Sequence, residues 1–286
     1  MNHLMWGHAA TQANVATLAA RGVHVLGPGE GDQACGETGP GRMLEPLELA
    51  ARVEPLLRPG GGTLSGKRVL ITAGPTRERI DPVRFVSNRS SGKMGFAVAQ
   101  AAREAGANVV LVAGPVSLPT PAGIARIDVE SAADMLAAVL RELPGTDVFI
   151  STAAIADYRP VRTAPQKIKK HDANLELSLE RTVDVLATVA ARPDRPFVVG
   201  FAAETEAVEQ NARGKLMKKN LDLIAANEVG HDKAFDCDDN ELVVLGRSHR
   251  HELPRAGKLA LARGLIDLIA RELATRSARQ RGTATA

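Results

Sequence analysis

Cysteine is nearly absent from these 286 residues: Cys35 and Cys237 are the only two. Two isolated thiols build no disulfide framework, which excludes the small stapled secreted scaffolds and points to a reducing, cytoplasmic compartment. Aromatic residues are equally sparse, six Phe together with Trp6 and Tyr158. No stretch approaches the ~18 uninterrupted apolar residues of a membrane span, so no membrane partner is expected. The opening residues MNHLMWGHAA have neither the basic nor the apolar segment of a secretory signal. Charge of one sign is also in short supply, with 36 Lys+Arg against 33 Asp+Glu. Residues 271–286 hold four Arg and one Glu and thereby account for the whole excess of +3. The remainder is neutral, which argues against a nucleic-acid partner, and the last residues, 276–286, read as a disordered basic tail.

What the chain does have is the composition of a globular protein, 44% hydrophobic and 24% charged. Its length suits one large domain or two ordinary ones. Residues 1–46 are Gly-rich, with a helix-like run at 11–21 and a short apolar strand at 23–26. A helix at 48–57 stops at RPGGG, a linker signal that closes a first segment of residues 1–62. From there a rhythm of strand, loop and helix runs through residues 63–275. Buried-strand runs fall at 68–73, 109–113, 147–152, 197–203 and 222–227, and helical patterns at 92–105, 132–143, 183–191, 207–219 and 255–273. Apolar strands alternating with helices imply a doubly wound α/β domain, Rossmann-like, with a mostly parallel sheet. Residues 175–180, LELSLE, alternate apolar with polar side chains and read as a half-exposed strand of a flap or edge arm.

Such sheets bind ligands beyond the carboxyl ends of their strands, which directs attention to the loops after 73, 113, 152, 203 and 227. GGTLSGK (61–67) imitates a phosphate-binding P-loop, but Arg68 stands where Ser or Thr is needed and a strand follows instead of a helix, so it reads as linker. The loop after residue 73 is better suited to anions. Ser90, Ser91 and Gly92 offer donors at a helix N-terminus, with Arg77, Arg79, Arg84 and Arg89 around the opening. STAAIADYRP (151–160) brings small residues and Asp157 to a strand end. KIKK (167–170) suits closure over a triphosphate. Phe201 follows a buried strand, and Lys215 and Lys219 share one helix face. HDKAFDCDD (231–239) lacks regular ligand spacing, and the seven His residues include no H-x-x-x-H pair, so no protein metal site is assigned.

AGPTRE (73–78), DPVRFVSNRSSGKMG (81–95), AAIADYRP (153–160), KIKK (167–170) and VVGFAAE (198–204) together resemble the phosphopantothenate–cysteine ligase half of the bifunctional bacterial coenzyme A biosynthesis protein. The resemblance implies CTP-dependent joining of 4′-phosphopantothenate to L-cysteine through an acyl-cytidylate, with Mg²⁺ held mainly by the triphosphate. It further implies that Lys167 stabilises the first transition state and that Lys215 and Lys219 hold phosphates. Ser151, Thr152, Ala153, Asp157 and Phe201 would line the nucleotide site with the turn Thr182, Val183, Asp184 and Val185. Asn88 would hydrogen-bond the acyl-cytidylate and act in its conversion to product, Ala154 would contact substrate, and Arg84 would meet the substrate phosphate across a homodimer. Residues 1–46 resemble the end of the flavin-dependent decarboxylase half, with Asn2 and Cys35 matching its substrate-contacting and redox-active residues. On that reading the segment is a small flavoprotein remnant, without FMN or decarboxylation; FMN and a higher oligomer would come with a restored flavin domain. A nicotinamide-dependent oxidoreductase and a non-catalytic regulatory relative are the alternatives.

Overall fold

The computed structural model describes residues 1–33, 36–53, 62–169, 175–204, 206–228 and 239–283. Backbone proximity divides the chain into two units, Met1–Gly60 and Gly61–Ala286.

The first unit begins with α1 (His3–Gly7), capped by Asn2, whose Oδ1 accepts from the Met5 N–H at 2.8 Å. Helix α2 spans Ala9–Ala20. The apolar run 23–26 is not the strand expected of it. The strands form instead in the Gly-rich stretch that follows, as an antiparallel hairpin of β1 (Gly29–Asp32) and β2 (Thr38–Arg42). Glycine is required there for close approach: a Cβ on Gly41 would meet the Met1 carbonyl oxygen. The Met1 ammonium in turn donates to the Gly41 carbonyl at 3.0 Å. Helix α3 covers Pro46–Val53. Little of this unit is buried, and Leu4, Met5, Leu18 and Leu47 are exposed.

The second unit starts with a turn. Leu64 is buried in the core, and its N–H donates to the Ala105 carbonyl at 2.9 Å. The segment read as linker around residues 62–66 is thus part of the domain, because an apolar side chain in it has a core to enter. The elements then run β3 (Arg68–Ala73), a hairpin of β4 (Arg77–Arg79) and β5 (Phe85–Ser87), α4 (Lys93–Glu104), β6 (Asn108–Ala113), β7 (Ala125–Asp128), α5 (Ala132–Glu142) and β8 (Val148–Ser151). After them come β9 (Tyr158–Pro160), β10 (Leu179–Arg181), α6 (Val185–Ala190), β11 (Phe197–Glu204), α7 (Val208–Lys218), β12 (Leu223–Glu228), β13 (Asp239–Leu245), β14 (Arg250–Gly257) and α8 (Lys258–Thr283).

Eight strands form the central sheet in the order β14-β13-β12-β11-β8-β3-β6-β7. The six from β12 to β7 are parallel, and β13 and β14 extend the edge antiparallel. Fully buried strands such as β3 read as continuous apolar runs because both faces are covered. Val69, Ile71 and Ala73 face α4 and α8, whereas Leu70 faces the opposite layer with Met135 of α5 and Leu216 of α7. The doubly wound, mostly parallel α/β architecture expected from the sequence is therefore present.

Three features differ from expectation. Residues 175–178 are not a strand; the ladder with β9 covers Leu179–Arg181, and without a core face the alternation alone does not extend it. The last helix begins at Lys258, since residues 255–257 continue β14. It then runs to Thr283, where a disordered tail from 276 was expected. Arg276 explains part of this: it donates to the Pro196 carbonyl at 3.4 Å, pairs with Asp222 at 3.2 Å and lies over the Phe197 ring.

Candidate active site

Among the parallel strands alone the order is that of the dinucleotide-binding sheet, and the order in which strands are added reverses at the neighbours β3 and β8. Loops leaving two such strands part to opposite faces and leave a crevice at their carboxyl ends. A cleft of about 630 Å³ opens there.

Its walls are stitched together by backbone groups and buried threonines. Thr72 and Thr76 are fully buried. The Thr152 hydroxyl donates to the Thr72 carbonyl at 2.5 Å, and the Ala156 N–H donates to Thr76 Oγ1 at 3.0 Å. Ala154 bridges to Pro75, donating its N–H to the Gly74 carbonyl at 2.9 Å. Asn88 closes the set, its Nδ2 donating to the Ala154 carbonyl at 2.9 Å. Asn88 and Ala154 are thus brought together at the cleft.

The floor is the start of α4. Gly92 is its N-cap with φ 77°, and no side chain caps the helix. The first N–H groups of an uncapped helix carry partial positive charge suited to an anion. Gly95, one turn in, lets the helix lie against the sheet: a Cβ there would meet Thr152 Oγ1 and Ala73 Cβ at 2.4 and 2.5 Å. Arg89, Lys93, Lys219 and Lys258 add cationic side chains to the lining.

Most of the proposed nucleotide-contacting residues meet at this cleft. Ser151, Thr152, Ala153, Asp157, Phe201 and Lys219 line it, as does the turn Thr182, Val183, Asp184 and Val185. That turn is held by Thr182, whose N–H donates to the Asp157 carbonyl at 3.0 Å and whose hydroxyl donates to the Ala156 carbonyl at 2.5 Å. Asp184 caps α6 by accepting from the Ala187 N–H at 2.9 Å and pairs with Lys219 at 2.6 Å. Burial would raise its pKa, but the Lys219 ammonium and that helix N–H outweigh it and hold the carboxyl below its ordinary value.

Other expected residues lie elsewhere. Lys215 is outside the lining and pairs with Glu204 at 2.6 Å. Lys167 is exposed and also outside it, on the arm between β9 and β10. Of the four arginines expected around the opening, only Arg89 lines the cleft. The β4–β5 hairpin aims the rest away: Arg77 stacks on Phe85, Arg79 pairs with Glu130, and Arg84 pairs with Asp81. Asn2 is engaged in capping α1, and Cys35, like Lys170 and residues 231–238, lies outside the described residues.

Sequence reasoning missed Asp81, which fixes the base of the arm. Its buried carboxylate accepts N–H groups of Val83 and Arg84 at 2.8 Å each and of Ile168 at 3.1 Å. Arg84 also donates to the Ile168 carbonyl at 3.2 Å. Burial would raise the Asp81 pKa, yet the three N–H donors and the Arg84 charge together lower it. Lys258 and Asn240 at the cleft were also missed, and no local motif marks them. The threonine inside RVLITA was a usable signal, since a polar residue in a buried strand must bond to something.

Residues 64–273 match the family described as "DNA/pantothenate metabolism flavoprotein C-terminal domain". The chain is 52% identical over 273 residues to the coenzyme A biosynthesis bifunctional protein CoaBC of Vibrio cholerae, covering 94% of this chain and 68% of that protein. It is 48% identical over 274 residues to CoaBC of Escherichia coli K12, covering 94% and 67%. Both alignments exceed the length of the domain match, so the likeness extends into the first unit. The crystal structure of the C-terminal domain of a CoaBC protein superposes with a TM-score of 0.65 at 42% identity, covering 75% of this chain and all of that one. A Cab2 variant in complex with phosphopantothenate-cysteine superposes with a TM-score of 0.59 over 80% of this chain and 94% of that one, and at 15% identity the likeness is one of fold. No helix among the described residues is long and apolar enough to cross a membrane.

Proposed function

The chain belongs to the family of coenzyme A biosynthesis bifunctional proteins and carries their DNA/pantothenate metabolism flavoprotein C-terminal domain, and from that premise we propose that it joins 4′-phosphopantothenate to L-cysteine using CTP. The observation that carries this reading is the cleft at the β3–β8 reversal. There an uncapped helix N-terminus, four cationic side chains and Asn88 converge on the Ala154 loop.

The chemistry fits those parts. A carboxylate is a poor acyl donor until its oxygen carries a good leaving group. The phosphopantothenate carboxylate attacks the α-phosphate of CTP, giving an acyl-cytidylate and pyrophosphate. The cysteine amine then attacks the acyl carbon and expels CMP. The α4 N-terminus and Lys219 neutralise charge on the triphosphate, and Phe201 with the 182–185 turn encloses the nucleoside. Lys167 reaches the reacting phosphate only by movement of its arm, whose base Asp81 holds. Asn88 orients the acyl-cytidylate for the second step.

Mg²⁺ bound with the nucleotide would supply positive charge that offsets the triphosphate. Asp157 brings a carboxylate to the cleft lining, and its side chain would suit a contact to that ion or to its waters. FMN, on this reading, belongs to the full-length bifunctional family and takes no part in the proposed reaction. The ligase works as a homodimer, with Arg84 meeting the substrate phosphate in the partner's site. Exposed apolar side chains on the neighbouring hairpin and arm, among them Val83, Phe85, Val161 and Leu177, support that association.

The decisive experiment is pyrophosphate release from CTP. Release that requires phosphopantothenate, followed by CMP release that requires cysteine, is the expected result. No pyrophosphate with either substrate pair overturns the ligase and leaves the oxidoreductase or binding readings.

A further inference from the structure

Near the middle of α8, about four turns along the helix from Lys258 at the cleft, three metal-ligating side chains converge. His249 lies in the turn between β13 and β14, His251 is in β14, and Glu272 is in α8. One ligand atom from each lies within 4.8 Å of the others. His249 Nε2 stands 3.2 Å from Glu272 Oε1. That nitrogen is buried and makes no hydrogen bond of acceptable geometry. The two imidazoles are 5.3 Å apart between ring centroids and tilted by 55°.

The convergence follows from periodicity. Residues two apart along an extended segment share a face, so His249, His251 and Leu253 project toward α8 together. Leu253 anchors the register there: a Cβ on Gly264 would lie 3.1 Å from Leu253 Cδ2. From Leu253 back to His249 the strand advances about 13 Å, and from Gly264 to Glu272 the helix advances about 12 Å. Because α8 leaves β14 by a tight reversal, the two rises match in opposite senses, and Glu272 arrives beside the histidines. Gly246 provides the seat, since a Cβ on it would overlap the His249 ring.

We propose that His249, His251 and Glu272 form a binding site for a divalent transition metal of the zinc type. Two imidazole nitrogens and one carboxylate oxygen suit Zn²⁺, which takes such ligands at about 2.0–2.2 Å in tetrahedral array. Two ligand atoms at those distances are separated by roughly 3.3 Å across a tetrahedral edge. The observed 3.2 Å between His249 and Glu272 already matches one edge. His251 completes the face by a small side-chain rotation, and water takes the fourth position. An ion there ties the β13–β14 edge of the sheet to α8. Neither the ligase reading nor the cleft is involved.

The test uses the full chain, stripped with a chelator and titrated with Zn²⁺ and, for spectroscopy, with Co²⁺. One equivalent of Co²⁺ is expected to give intense visible bands of a tetrahedral site without thiolate charge transfer, displaced by Zn²⁺. A hundredfold excess of Zn²⁺ over its dissociation constant should raise Tm by roughly 5–10 °C. His251→Ala and Glu272→Gln should each abolish the bands and the Tm rise. Far-UV circular dichroism confirms that each variant is folded; Glu272→Gln keeps the side-chain volume should the first variant loosen the hairpin. Absence of Co²⁺ bands in the parent chain, or their survival in either folded variant, overturns the proposal.

Discussion

Three side chains carry predictions of their own. Lys167→Gln should slow formation of the acyl-cytidylate by roughly a hundredfold or more, the usual cost of removing one group that stabilises developing charge. Parent-like pyrophosphate release in a single-turnover assay would remove Lys167 from the first step. Asn88→Asp should leave pyrophosphate release largely intact and accumulate the intermediate, detectable by mass spectrometry after a rapid quench. Asp81 is a matter of stability. Its pKa lies below the ordinary carboxylate value, so it stabilises the fold above the unfolded pKa of about 3.9 and loses that contribution as pH falls through the lower folded value. Parent and Asp81→Asn should therefore differ in Tm by a constant amount near neutrality and converge in acid. Asp81 was invisible in sequence because its importance comes from three N–H groups brought to it by two separate segments.

At the scale of elements, α4 is the part on which the site depends most. Gly95 permits its close approach to β3 and β8. Gly95→Ala should cost roughly 1–3 kcal/mol in urea denaturation through overpacking. It should also raise KM for CTP, because the helix N-terminus would move out of the cleft floor. Strands β3, β6, β8, β11 and β12 were legible as apolar runs, since burial on both faces leaves little freedom of composition. Strands β7, β13 and β14 were not. Each is an edge or near-edge strand whose pattern in Asp239–Leu245 and Arg250–Gly257 is half polar, and pairing with a neighbour decides its conformation more than its residues do. The H-x-H of residues 249–251 went unread for the same reason: its spacing carries meaning only once the segment is known to be extended.

For the whole molecule, the division at Gly60–Gly61 predicts that a chain beginning at residue 62 keeps the proposed ligase activity. Loss of CTP turnover in that shortened chain, if folded by circular dichroism, would show that the first unit contributes to the reaction. The residues identified in the motifs AGPTRE, AAIADYRP and VVGFAAE were enough to place the cleft, because loops at strand ends must contain small residues and glycine wherever backbone approaches a ligand. The reading of the loop after residue 73 misplaced Arg77, Arg79 and Arg84, whose guanidinium groups are aimed by a hairpin and not by their positions along the chain. By itself, then, the sequence determined the alternation of strands and helices, the parallel sheet and the segments that meet at its carboxyl edge, since local periodicity and composition report burial directly. Only the tertiary structure decided the strand order that opens the crevice between β3 and β8, which charges enter it, and the meeting of His249, His251 and Glu272. Those depend on contacts between residues far apart in the chain, and no local pattern encodes them.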